Sequence, residues 1–94
     1  MVEITLQPVQ IGTLCADTEG RLAFTDGKLV AVLVRLSEEL HAADGRAGHW
    51  CLEAGFGACE DRMLSVHFDS LEAARGWLAE RIKRRAGSSL GCMK

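Results

Sequence analysis

No apolar run in this 94-residue chain approaches the roughly 20 residues that a membrane-spanning helix needs. The opening residues, Met-Val-Glu-Ile-Thr-Leu, alternate in polarity and carry no basic segment, so they do not read as a secretory leader. A cytoplasmic setting is the expectation. No Cys-x-x-Cys occurs, and the spacing of Cys15, Cys51, Cys59 and Cys92 fits neither a zinc knuckle nor a thioredoxin motif. In a reducing compartment these four are expected to be thiols. Cations are not in excess: 11 lysines and arginines stand against 13 acidic residues, a net charge of −2, which argues against a generic polyanion binder. Neither Gly-x-x-x-x-Gly-Lys nor Gly-x-Ser-x-Gly appears, which removes the phosphate loop and the hydrolase elbow.

What is present is ordinary globular composition, 48% hydrophobic and 26% charged, in a length suited to one domain. Residues 1–87 are expected to form a single compact unit and residues 88–94 a flexible tail. The most informative stretch is residues 29–36, Leu-Val-Ala-Val-Leu-Val-Arg-Leu, in which seven of eight residues are apolar. A strand with one wet face alternates apolar and polar residues, whereas a continuous run implies cover on both sides. With only one convincing helix in the chain, that second cover points to another molecule; the alternative is that the N-terminal strands, or a helix at residues 37–43, fold over it.

Asp26-Gly27 separates Leu22-Ala23-Phe24 from the apolar run and reads as a type I′ hairpin. A two-residue loop there sets Phe24 opposite Leu29 and Leu22 opposite Ala31, leaving Ala23, Val30, Val32, Val34 and Leu36 on the other face. Upstream, residues 3–6 and 9–14 look strand-like, broken by Pro8, which cannot donate to a ladder. Residues 16–20 carry turn chemistry. Residues 37–45 read as a loop, or as one helical turn within it capped by Ser37.

Residues 49–56 and 63–68 alternate cleanly and form a hairpin in which Ala54 lies beside Val66 and Leu52 beside Phe68. A helix follows to residue 86, beginning at Asp69 or Ser70, with Asp69 and Glu72 spaced as a capping box. Its apolar stripe is Leu71, Ala74, Leu78 and Ile82, joined by Trp77, and Gly87 ends it. Gly76 inside this helix is expected to allow close approach to the sheet.

Ligand-type residues gather only on the outer face of that second hairpin. His49, Cys51 and His67 are the weak candidates for zinc, with Cys59 as an outside fourth. Flat sheet faces seldom converge four ligands tetrahedrally, so no metal or cofactor is expected. Cys51 with a histidine and a carboxylate holds the parts of a thiol nucleophile. An open sheet offers no pocket and no oxyanion hole, so Cys51 and Cys15 read as small, partly buried hydrophobes. In layout, strands followed by a helix resemble small DNA-binding modules such as phage-integrase arm-binding domains. The resemblance implies DNA contact through the sheet, but the outer face would show His49, Cys51, Glu53 and His67 rather than cations. The basic residues Arg81, Lys83, Arg84 and Arg85 are the only candidates for nucleic-acid contact.

The sequence therefore predicts an α+β fold, an antiparallel meander of four or five strands with one C-terminal helix on one face. Trp50, Leu52, Phe56, Leu64, Val66 and Phe68 should meet the helix stripe in the core. The expected role is a small non-enzymatic interaction protein, homodimeric through Val30, Val32, Val34 and Leu36, with another protein as a further partner. A nucleic-acid-binding accessory domain is the alternative, and neither a membrane nor a cofactor is expected.

Overall fold

Asp26 and Gly27 both adopt positive φ, 54° and 73°, the geometry of a type I′ turn. In the computed structural model, which describes residues 2–12, 14–60 and 66–87, this turn joins β2 (Glu19–Thr25) to β3 (Lys28–Arg35). Around the pair the chain adds β1 (Thr5–Gln10), β4 (Trp50–Gly55) and β5 (His67–Phe68). All five strands form one antiparallel sheet in the order β1-β2-β3-β4-β5, each beside its neighbour in sequence. A single helical turn, α1 (Glu38–His41), follows β3, and the long helix α2 (Leu71–Gly87) ends the described chain. The α+β meander with a C-terminal helix is thus observed. Among the described residues no helix is long and apolar enough to cross a membrane.

Pro8 does not break the first strand: β1 runs through it, with Pro8 opposite Arg21. The strand lies at the sheet's edge, where the missing N–H faces outward and no ladder bond is lost. The second expected strand, over residues 9–14, is replaced by a return. β1 stops at Gln10, and the Ile11 N–H donates to the Thr18 carbonyl at 2.8 Å.

Two single-residue bulges correct the expected faces. Phe24 does pair with Leu29, but Ala23 then pairs with Ala31 and Leu22 with Val32, so Val30 is an extra residue in β3. On the other side Leu33 pairs with Leu52 while Val32 pairs with Ala54, making Glu53 the extra residue of β4. Because side chains alternate with period two, each bulge changes which residues share a face. Ala23 and Val30, expected on the outer face, instead join the core beneath α2, and Leu22 moves outward.

The β4–β5 register is also corrected. Phe68 pairs with Trp50 and His67 with Cys51, two residues away from the expected alignment, while the Leu52 N–H reaches the Val66 carbonyl at 3.1 Å. A shift by two preserves the faces, so Trp50, Leu52 and Phe68 still point to the helix and are buried. Residues 63–65 of the expected strand, Leu64 among them, lie outside the described residues.

On α2, Ala74 and Leu78 are fully buried, and Leu71, Trp77 and Ile82 pack partly buried against the same cluster. The Trp77 ring meets Phe68 in a tilted pair with centroids 5.6 Å apart. Phe56 was expected in this core and is not there: it is 47% exposed, because alternation beyond core-facing Gly55 turns it away from α2. Ser70, not Asp69, caps the helix, its Oγ accepting from the Ala73 N–H at 3.1 Å. Gly76 is corrected as well, since a Cβ built there meets nothing within 4 Å and the residue faces outward. Gly76→Ala is therefore expected to stabilise the protein by about 0.5–1 kcal/mol, raising its thermal midpoint by a few degrees. A midpoint that falls would mean that α2 has a neighbour on its outer side.

Candidate functional site

The sheet has one face packed on α2 and one turned away from it. Register assigns the second face row by row. Thr5, Phe24 and Leu29 form one row, Gln7, Leu22, Val32 and Ala54 the next, and Val9, Gly20, Val34, Cys51 and His67 the third. No lysine or arginine belongs to these rows, and most of their members are apolar.

The middle of the third row, Gly20 and Val34, is covered from within the chain, while His67 at its end is exposed. Gly20 makes this possible: a Cβ there would crowd the Ile11 side chain and stand 3.0 Å from the Leu33 carbonyl oxygen. Without one, the Ile11 side chain lies over Gly20, which pairs with Val34. The cover is pinned by Asp17, whose Oδ1 accepts from the Ser37 N–H at 2.7 Å and whose Oδ2 lies 2.9 Å from His41 Nε2. On its other side, His41 Nδ1 lies 3.5 Å from the Asp44 carboxylate. Burial works to raise the Asp17 pKa, but the hydrogen bonds from Ser37 and His41 outweigh it and hold the carboxyl below its ordinary range. Ser37 caps the turn it anchors, its Oγ accepting from the Leu40 N–H at 3.3 Å. Beneath this lid Val34 is 3% and Leu36 6% exposed in the isolated chain.

Among the described residues the other half, toward the Asp26-Gly27 turn, has no such lid. Leu22, Phe24 and Val32 are half-buried there, and Leu29 is 37% exposed. Alternation past Ala54 brings Phe56 to the same side. Of the four expected interface residues, then, Val34 and Leu36 are buried by the chain itself, Val30 packs into the core, and Val32 stays half-exposed beside Leu22, Phe24, Leu29 and Phe56. Reasoning from sequence missed these last four, because two bulges decide their side. Large exposed hydrophobics among the described residues number four: Leu29 and Phe56 on the bare half, Leu14 and Leu40 on the lid segments.

The polar candidates gather at the lidded end. His49 and His67 stack with centroids 5.8 Å apart and planes within 14°. Cys51, paired with His67 and not with Asp69 as expected, lies on the same face. Burial raises the Cys51 pKa, the charges of Glu53 and Asp17 add to this, and Arg46 only partly offsets them. A thiol shifted that way is a poorer nucleophile at neutral pH. Stacked rings do not aim their nitrogens at a common point. No group of three or more His, Cys, Asp or Glu among the described residues has metal-holding geometry. Cys59 is fully buried in the α2-side core, where burial again raises its pKa against the opposing charge of Arg81. Cys15, expected to be partly buried, is exposed.

The basic end of α2 is less free than its sequence suggests. Arg81 lies over the Trp77 ring at 4.7 Å, and its guanidinium donates to the Ala58 carbonyl at 3.2 Å and the Glu60 carbonyl at 2.9 Å. It binds the helix to the 3-10 turn at Gly57–Cys59. Arg84 pairs with Glu80 at 3.7 Å, and Lys83, Arg84 and Arg85 are exposed. No family model, curated protein or solved structure matches the chain.

Proposed function

We propose that this chain is a small non-enzymatic interaction protein that self-associates through the sheet face turned away from α2. The observation that carries this reading is the location of the large exposed hydrophobics. Leu29 and Phe56 sit on the bare half of that face, Leu14 and Leu40 on the segments that lid the rest, and the α2 side exposes none among the described residues. Exposed apolar patches of more than a few hundred Å² usually mark an interface. Sideways growth of the sheet is a poor alternative, because Pro8 removes an outward donor from β1 and β5 is only two residues long. A reducing cytoplasmic setting suits the thiols of Cys51 and Cys59.

Light scattering over a concentration series tests the proposal. Wild-type protein should rise from monomer toward dimer mass, while Val32→Asp, which places a charge in the middle of the bare half, should remain monomeric. Val32 is half-buried, so Leu29→Ser at a more exposed neighbour serves as the milder variant, with circular dichroism to confirm folding. A folded Val32→Asp variant whose mass matches that of wild type at every concentration would sink the proposal.

A further inference from the structure

We propose that the occupant of the bare half is the lid of a second copy. Leu40 and Leu14 of one protomer seat on Leu22, Phe24, Leu29, Val32 and Phe56 of its partner, and the same contact is made in return. This rests on the self-association reading above and adds the geometry of the contact. Lid and bare half lie on one side of the sheet but toward opposite ends of β3. Leu29 and Leu36 mark the two ends, about 23 Å apart at ~3.3 Å per residue. A two-fold axis between the sheets and perpendicular to the strands lays each lid on the other protomer's bare half, closing an isologous pair. An axis parallel to the strands would set lid against lid. With a helical turn roughly 10 Å across on each copy, the bare halves would then be held apart.

Area and chemistry agree with the first arrangement. The four exposed hydrophobics present on the order of 400 Å² between them, about half of the ~800 Å² that each partner buries in a standard interface. The rows that would receive Leu40 contain no charged residue, so seating it there desolvates no ion. Leu40 itself is 51% exposed on a turn that Ser37 and Asp17 hold in place, so it needs no ordering on contact.

A mixing experiment decides between geometries. Leu40→Asp destroys the knob and leaves the bare half intact; Phe56→Asp does the reverse. Both side chains are exposed, so both variants should fold. Each alone should dimerise about thirtyfold more weakly than wild type, or worse. Mixed in equal amounts they should recover dimer, because the pair keeps one of its two contacts. If Leu40→Asp associates like wild type while Phe56→Asp does not, bare halves meet each other; the lid contact is then wrong although self-association stands. A mixture that stays monomeric overturns the reciprocal contact. Wild-type species larger than dimers overturn the closed pair in favour of an open chain. A wild-type mass independent of concentration removes the underlying reading as well.

Discussion

Leu33→Ala should lower the unfolding free energy by about 3–4 kcal/mol, a large part of the ~5–15 kcal/mol typical of a domain. The thermal midpoint would fall on the order of 15 °C for a chain of this length. Leu33 has no exposed surface, pairs with Leu52 across β4, and lies in the cluster that receives Ala74 and Leu78 of α2. Ala23 and Ala31 beside it are too small to move into the space left behind, and its direct partner on β2, Arg21, is held over the Trp50 ring at 5.0 Å and bonded to Glu19 and the Gly20 carbonyl. The cavity therefore persists, and its unfilled volume adds to the lost transfer energy. Denaturant melts of the two proteins supply the comparison. A loss under about 1.5 kcal/mol would show that the site collapses or that the α2 side is not the main core.

Gly55→Ala should cost about 2–3 kcal/mol or more, although it adds one methyl group. A Cβ at Gly55 would overlap the Cys59 carbonyl oxygen and lie 2.7 Å from the Cys59 carbonyl carbon. Both are backbone atoms, so no rotamer change relieves the contact. The 3-10 turn must move as a unit, and three interactions hold it: the buried Cys59 thiol and the two Arg81 hydrogen bonds. Displacing it also disturbs the Arg81–Trp77 stack on α2. The expected signature in a melt is a lowered midpoint together with a change in tryptophan fluorescence. An alanine variant as stable as wild type would mean that the turn is not locked against β4.

The hairpin and α2 were legible in the sequence because each rests on local chemistry. Asp-Gly can take two successive positive φ values where few other pairs can, and Leu71, Ala74, Leu78 and Ile82 repeat at helical spacing. The bulges at Val30 and Glu53 carry no such signal. They arise from how neighbouring ladders fit together, and they moved Ala23 inward and Leu22 outward. Phe56 was misread for a related reason: alternation gave its phase relative to Trp50 without the bulge between them. Cover from residues 37–43 is an alternative the sequence offers, but its fastening is not legible locally, since Asp17 meets Ser37 and His41 across 20 and 24 residues of chain. Arg81 stood in a run of cations and looked like its neighbours, although the turn it binds lies more than 20 residues upstream. Of the candidate surface the sequence marks only Val32, and the register brings Leu29 and Phe56, which define it, to the same face.

A sheet whose spatial order repeats its sequence order also sets the order in which the chain can assemble. The β2–β3 pair closes across two residues and the other strands add across connections of 8 to 14, so the meander can zip outward from the β2–β3 turn. The long closure comes last, when Ile4 near the start of the chain and α2 near its end enter the same core. That step buries Leu78 and completes the cover over Leu33. On this order of closures, docking of the helix is the step expected to set the folding rate.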